Sequence, residues 1–144
     1  NYKPTYLLKG DIAAGGIHFQ QLCAPCHALS GIGTNVGPDL SIYRNKPAQD
    51  IVEAIINPNA VIEPQFMSYA AETKDGQVIS GILRETAGNL EFLQAQGIVT
   101  RIRRDDVKKL GAVALSLMPE GFEAALTPQA MADLIAFLKA PPRR

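Results

Sequence analysis

The sequence CAPCH, at residues 23–27, places two thiols and an imidazole at a spacing that predicts covalent chemistry. Cys23 and Cys26 are three positions apart on a helical turn and project to the same side, so both sulfurs can reach the two vinyl groups of one haem. His27 follows at once and can bind the iron through its imidazole. This run, here called the CAPCH segment, therefore predicts one covalently attached haem c, with its iron, per chain.

Three other roles for the cysteines fit the sequence less well. A zinc site needs two further soft ligands, but His18 is the only other histidine and there is no third cysteine. A thioredoxin-like redox pair is expected after a strand of a parallel sheet, whereas CAPCH ends a predicted helix. A plain structural disulfide leaves the adjacent histidine unexplained. We expect His18 itself to face solvent or to be satisfied in the core.

The second face of a haem held by histidine is open to a sulfur ligand, and the chain has three methionines. A thioether is a soft iron ligand that raises the reduction potential. Met131 lies on the apolar stripe of the last predicted helix, where core filling is the better interpretation. Met67, in "QFMSY", is closer to His27 in sequence but leads directly into the first predicted strand, where a core role is simpler.

Met118 lies in "LSLMPEGF" (residues 115–122), an irregular segment before the last predicted helix that we call the methionine loop. Pro119 removes a backbone donor and stiffens the loop, and Gly121 permits a close turn. Met118 is the preferred candidate for the sulfur ligand. Packing beneath the last helix remains the alternative for Met118, and Met67 remains the alternative ligand.

Composition limits the remaining classes of function. A chain of 144 residues fits a single domain, and fourteen basic against fourteen acidic residues argue against nucleic acid as the main partner. No apolar run approaches the roughly 18 to 20 residues that span a bilayer. No signal peptide is recognisable and the first residue is not methionine, so we expect a mature or excised fragment.

Helices are predicted at both ends of the chain. Asp11 is a plausible N-cap for a helix that runs from about residue 12 into Cys23, and its glycine pair ("AAGGIHF") predicts close approach of another backbone or a flat ligand. A long glycine-rich loop follows the CAPCH segment. Pro47 begins a second helix, "AQDIVEAII", and Thr127 caps the last helix with Pro128 at its first position.

Strands are predicted in the middle of the chain. Asp75-Gly76 separates two strand-like runs, and Gln96-Gly97 separates two more with alternating apolar residues. These signals predict three or four antiparallel strands between about residues 68 and 103. The basic run "TRIRRDDVKK" is expected to be a solvated strand end and turn, although one of its cations, or Arg44, could pair with a haem propionate or an acidic partner.

The stretch "GGIHFQQLCAPCHALSGIGTNVGPDL" resembles the single-haem, class I c-type cytochromes. Two longer stretches are similar to the planctomycete-type haem-binding domain: "GPDLSIYRNKPAQDIVEAIINPNAVIEPQFMSYAAETKDGQVISGILRE" and "SLMPEGFEAALTPQAMADLIAFL". Members of that family often lie at the C-terminus of large secreted proteins, some beside dehydrogenase-like propeller domains.

The resemblance implies a mainly α, class I cytochrome c fold with a small antiparallel β-sheet inserted between the second helix and the axial-methionine loop. One cytochrome c domain would cover residues 1–144, with haem attachment in 12–46, the inserted strands in about 68–103, and the methionine loop and C-terminal helix in 112–140.

The resemblance also assigns site residues. The haem would be bound by Cys23, Cys26, His27, Pro38 and Met118, with His27 and Met118 as the metal ligands. The carbonyl of Pro38 would accept the Nδ1 hydrogen of His27, leaving Nε2 for the iron. No catalytic set of side chains stands out, so an electron carrier rather than an enzyme is expected.

Together these features predict one-electron transfer by a His/Met haem, as a domain of, or partner to, a periplasmic or otherwise extracytoplasmic oxidoreductase. Covalent haem attachment implies maturation outside the cytoplasm. Two alternatives stay open. One is a haem sensor or peroxidase-like domain with an open or labile distal position, and the other is an interaction module in which the haem is a structural staple.

Overall fold

A computed structural model describes residues 2–142 of the chain. It contains three α-helices, a five-stranded antiparallel sheet and a two-stranded hairpin, joined by short 3₁₀ turns. The α-helices are α1 (Ile12–His18), α2 (Ala48–Ile56) and α3 (Pro128–Lys139). The strands are β1 (Ala28–Leu29), β2 (Ile32–Gly33), β3 (Ser68–Thr73), β4 (Val78–Thr86), β5 (Asn89–Gln94), β6 (Ile98–Arg103) and β7 (Val107–Ala112).

The first and last α-helices pack against each other closely. A Cβ on Gly15 would lie 1.9 Å from the carbonyl oxygen of Asp133, so only glycine permits this approach of the two backbones. The rings of Phe19 and Phe137 contact each other in a tilted arrangement with their centroids 5.3 Å apart. The predicted caps are confirmed: Asp11 accepts from the Ala14 N–H at 2.9 Å and Thr127 accepts from the Ala130 N–H at 3.2 Å.

The sheet has the strand order β6-β5-β4-β3-β7, with every neighbouring pair antiparallel. Both predicted hairpin turns are confirmed. Gly76 joins β3 to β4 with a φ of +89°, and Gln96 and Gly97 join β5 to β6 with φ values of +69° and +71°. Glycine adopts positive φ without steric cost, which suits Gly76 and Gly97 to these turns.

The sheet curls because its two edge strands are consecutive in sequence. Only Arg104–Asp106 separate β6 from β7, and such a link spans at most about 14 Å between the strand ends. A flat five-stranded sheet would hold its edges about 19 Å apart. Curling encloses a core in which both edge strands take part, formed by Ala71, Leu90 and Phe92 with Ile102 from β6 and Val107 from β7.

The prediction of a mainly α, class I cytochrome c fold with a small inserted sheet is wrong. The chain forms a mixed α and β fold in which the largest element is the five-stranded antiparallel sheet with a core of its own. The reason is that strands 6 to 9 residues long alternate their apolar residues between two buried sides. One side faces the curled interior and the other faces the helical part of the molecule.

The predicted bounds also need correction. The strands extend to residue 112 rather than 103, because β7 pairs with β3 from Tyr69↔Ala112 to Thr73↔Val107. This strand was missed since its side chains are mostly exposed and only the first of them reaches the sheet core. The predicted loop after the CAPCH segment contains the short β1–β2 hairpin. The single domain predicted over residues 1–144 includes Asn1, Arg143 and Arg144, which lie outside the described residues.

A small apolar cluster joins the sheet to the helical part. Ile82 of β4, Leu93 of β5 and Val36 are buried together, and Cys26 and Leu117 pack against them. The sheet therefore contacts both the CAPCH segment and the methionine loop. Within residues 2–142, no helix combines the length and the apolar character required for crossing a bilayer.

Candidate functional site

The CAPCH segment begins where the first helical run widens into a π turn. Phe19–Cys23 form this turn, and the Ala24 N–H donates to the Phe19 carbonyl at 2.8 Å, five residues back. Wide turns of this kind are frequent at functional sites. The N–H groups of Cys26 and His27 both donate to the Cys23 carbonyl, at 3.0 and 2.8 Å. The segment is thus a tight turn that directs its side chains to one side.

The two cysteines are not joined by a disulfide, and both line one cavity. Burial, with a smaller contribution from Cys26, raises the pKa of the Cys23 thiol to about 12, and burial also raises the pKa of Cys26. Reactive redox cysteines instead have a lowered pKa, because the thiolate is the active species. Among residues 2–142, no group of three or more His, Cys, Asp or Glu side chains is arranged to hold a metal ion. The donor arrangement does not support the zinc interpretation, and the raised pKa values of the thiols do not favour a reactive redox pair.

The His27 ring is oriented by one hydrogen bond to the backbone. Its Nδ1 lies 2.8 Å from the carbonyl oxygen of Pro38. A carbonyl can only accept, so Nδ1 carries the proton in the neutral ring and Nε2 keeps a free lone pair. Burial lowers the pKa of His27, an effect that the Pro38 bond partly opposes. A neutral imidazole with an available Nε2 is the form that binds a metal.

Gly37 leaves room for the His27 ring. A Cβ at this position would lie 2.6 Å from Cε1 and 2.9 Å from Nδ1 of the ring. The Gly37 N–H also donates to the Cys26 carbonyl at 2.6 Å. Gly37 therefore lets the loop from residue 33 to Pro38 pass directly along the edge of the His27 ring. This path places the Pro38 carbonyl next to Nδ1.

The three methionines have different surroundings. Met118 is half-buried and lines the same cavity as Cys23, Cys26 and His27. Met131 is fully buried in the helical core, which confirms its predicted packing role. Met67 is half-buried and does not line the cavity, although the neighbouring Phe66 does.

The cavity that these side chains share, here called the central cavity, has a volume of about 450 Å³. This volume falls within the usual range for small-molecule and cofactor sites. Its walls are mainly apolar and come from α2, α3, the methionine loop and the sheet, including Leu40, Ile51, Ile55, Ile82, Leu134 and Leu138. Two thiols, an imidazole with a free Nε2 and a thioether around an apolar cavity fit the donor set and the surface of a covalently bound haem.

The charged residues at the central cavity are acidic. Asp50, Glu53 and Glu63 line it, whereas no lysine or arginine does among the described residues. The cations considered as propionate partners lie elsewhere. Arg101 pairs with Glu91 at 2.6 Å, Arg104 with Glu85 at 3.0 Å and Lys108 with Glu72 at 3.5 Å. The remaining candidate from the first half of the chain, Arg44, donates from Nε to the Ala140 carbonyl at 3.0 Å. None of these residues lines the central cavity, and pairing with a propionate stays a prediction.

Three contacts to the site had no signal in the sequence. The Gln96 N–H, in the β5–β6 turn, donates to the Pro25 carbonyl of the CAPCH segment at 2.6 Å, and the Thr34 hydroxyl donates to the same oxygen at 2.7 Å. Asn59 bonds to the methionine loop by accepting from the Ser116 N–H at 2.6 Å. Each bond has a backbone group as its donor or acceptor, and residue types do not reveal such bonds. His18 is half-buried in α1 and does not line the central cavity.

Neither protein-family models nor the sequences of curated proteins give a match to this chain.

Proposed function

We propose that the protein is an electron carrier that holds one haem c covalently through Cys23 and Cys26, with His27 and Met118 as axial ligands. One observation carries the proposal. The CAPCH segment and the methionine loop, which lie in opposite halves of the sequence, present their thiols, imidazole and thioether to the same apolar cavity. A haem bound there would supply one-electron oxidation and reduction, and a methionine ligand would favour the reduced state.

The chain's own residues would then bind the haem, orient its histidine ligand and shield the site from water. The Pro38 carbonyl holds the His27 ring in the tautomer that leaves Nε2 free. Two thiols on adjacent turns of one segment attach the same ligand at two points. The apolar walls exclude water, which lowers the dielectric around the site and reduces the reorganisation that accompanies a change of charge.

The proposed context is extracytoplasmic. Covalent haem attachment implies maturation outside the cytoplasm, and a carrier needs a donor and an acceptor. We therefore propose a periplasmic redox protein, or a dehydrogenase domain in the same polypeptide, as the partner.

Production with haem-attachment machinery in a bacterial periplasm tests the proposal. The wild-type chain is expected to gain the mass of one haem that persists under denaturing conditions, because thioether bonds survive unfolding. The matched control is the double variant Cys23→Ala/Cys26→Ala, which should gain none. A wild-type chain that never retains haem after denaturation would contradict the proposal.

The axial ligand is tested by comparing two methionine variants. Met118→Ala should abolish the weak long-wavelength absorption band that sulfur–iron ligation gives the oxidised protein, and should lower the reduction potential. Met67→Ala should leave both unchanged, since Met67 does not line the central cavity. The reverse pattern would exclude Met118 as the ligand. Rapid binding of carbon monoxide by the reduced wild-type protein would favour a sensor instead of a carrier.

A further inference from the structure

Asn59 makes two hydrogen bonds to the methionine loop, one on each side of Met118. Its Oδ1 accepts from the Ser116 N–H at 2.6 Å, and its Nδ2 donates to Glu120 Oε1 at 2.7 Å. Asn59 itself follows α2 in the turn after Pro58 and is half-buried. One amide side chain thus spans the segment that carries the sulfur.

The bonded chain continues to Met118 itself. The Met118 N–H donates to the Ser116 hydroxyl at 3.1 Å, so the residue that Asn59 holds in turn holds the backbone of Met118. In the described part of the chain, the two bonds from Asn59 are the hydrogen bonds that tie residues 115–120 to the rest of the protein. The other attachment is apolar, through Leu117 against Val36, Ile82 and Leu93.

We infer that Asn59 is a positioning residue that keeps Met118 directed into the central cavity. This inference rests on the proposed function, because the sulfur needs positioning only if it is to reach a ligand there. Leu117 packs against the apolar cluster and, like its neighbour Met118, lines the central cavity. Apolar packing of Leu117 does not by itself fix the rotation of the loop, whereas two directional bonds on either side of Met118 do.

The amide is suited to this position because it both accepts and donates. Asn59 accepts from a backbone N–H through Oδ1 and donates to a carboxylate through Nδ2. Aspartate retains the first bond but loses the second, and it places a carboxylate against that of Glu120. The double substitution Asn59→Asp with Glu120→Gln restores this hydrogen bond in the opposite direction. The new amide at position 120 donates, and the new carboxylate at position 59 accepts.

The experiment compares the wild type with Asn59→Ala, Asn59→Asp, Glu120→Gln and the double variant Asn59→Asp/Glu120→Gln, all carrying haem. The first measurement is amide hydrogen exchange at Ser116 and Met118. The second is the long-wavelength band of the oxidised protein together with the reduction potential. Exchange reports the loop directly, whereas band and potential report whether the sulfur reaches the iron.

Asn59→Ala should speed exchange at both amides by about tenfold, since two hydrogen bonds of modest net strength are lost. The same variant should weaken the band and lower the potential. Asn59→Asp should show the same changes in smaller degree. Glu120→Gln should behave as the wild type because its Oε1 still accepts from Asn59. The double variant should recover the wild-type band and exchange rates.

Three results overturn the inference in distinguishable ways. If Asn59→Ala keeps the wild-type band and slow exchange, Asn59 does not position the loop, and the proposed function stands. If the wild type itself has no sulfur–iron band, the proposed Met118 ligation fails and this inference fails with it. Failure of the double variant to recover what Asn59→Asp loses would also overturn the positioning role.

Discussion

The CAPCH segment and the methionine loop line the same cavity, but different kinds of bonds hold them in place. In the CAPCH segment, the backbone hydrogen bonds to the Cys23 carbonyl and from the Gly37 N–H join residues that are close in sequence. The His27 ring also bonds directly to the Pro38 carbonyl. Residues 115–120 of the methionine loop have no comparable local framework. Their hydrogen bonds to the rest of the described chain come from one distant side chain, Asn59.

This difference has a physical consequence. Several local bonds restrain the CAPCH segment, so loss of any one leaves the others in place. Residues 115–120 of the methionine loop depend on two bonds from a single amide and on the packing of Leu117. We expect the histidine side of the central cavity to be rigid and the methionine side to open first, because local opening follows the elements with fewest contacts.

The largest expected effect is a difference in stability between substitutions of the core methionine, Met131, and the loop methionine, Met118. Met131→Ala should lower the free energy of unfolding by about 2–5 kcal/mol, because it empties a fully buried core position. Met118→Ala should cost about 1 kcal/mol or less in the chain produced without haem, since the side chain is only half-buried. Urea unfolding measures both. Equal losses would show that Met118 is a core residue like Met131.

The next effect concerns the rigid side of the cavity. Gly37→Ala should destabilise by about 1–3 kcal/mol, because the added Cβ collides with the His27 ring and forces it away from Pro38. Gly111→Ala is the matched control, since a Cβ there meets no atom within 4 Å. Thermal unfolding compares them. Identical melting temperatures would mean that the ring moves aside without loss.

A smaller effect is expected inside the methionine loop. Ser116→Ala removes the acceptor of the Met118 N–H and should speed exchange of that amide about fivefold, equivalent to about 1 kcal/mol. Ser80→Ala on β4 is the control, because its hydroxyl makes no hydrogen bond within residues 2–142. Hydrogen exchange followed by NMR measures the change. An unaltered Met118 rate would show that Asn59 alone restrains the loop.

The smallest effect tests redundancy in the CAPCH segment. Thr34→Val keeps the shape of the side chain but removes its hydroxyl bond to the Pro25 carbonyl. The Gln96 N–H still donates to that carbonyl. The free energy of unfolding should therefore fall by less than about 1 kcal/mol. Denaturant titration provides the measurement. A loss of several kcal/mol would contradict the redundancy on which the comparison depends.

Local signals in the sequence predicted many single elements. Asp11 and Thr127 cap their helices because a side-chain oxygen reaches an N–H two or three residues on, which requires no information from elsewhere. The Asp75-Gly76 and Gln96-Gly97 pairs form turns because Gly76 and Gly97 adopt a positive φ without steric cost. Elements that depend on contacts with distant residues were missed, because local signals carry no information about such contacts. Strand β7 is an edge strand whose pairing is made by the backbone, so its exposed side chains carry little pattern.

The sequence by itself determined which residue types are available for chemistry: one CAPCH segment, three methionines and too few further cysteines or histidines for a zinc site. The tertiary structure decided that Met118, and not Met67, shares a cavity with His27, and that the sheet forms a wall of that cavity. It also decided that Asn59 bonds to the methionine loop. Spacing along the chain predicts only contacts within a turn or a hairpin, whereas these contacts join distant segments through the curling of the sheet and the packing of loops.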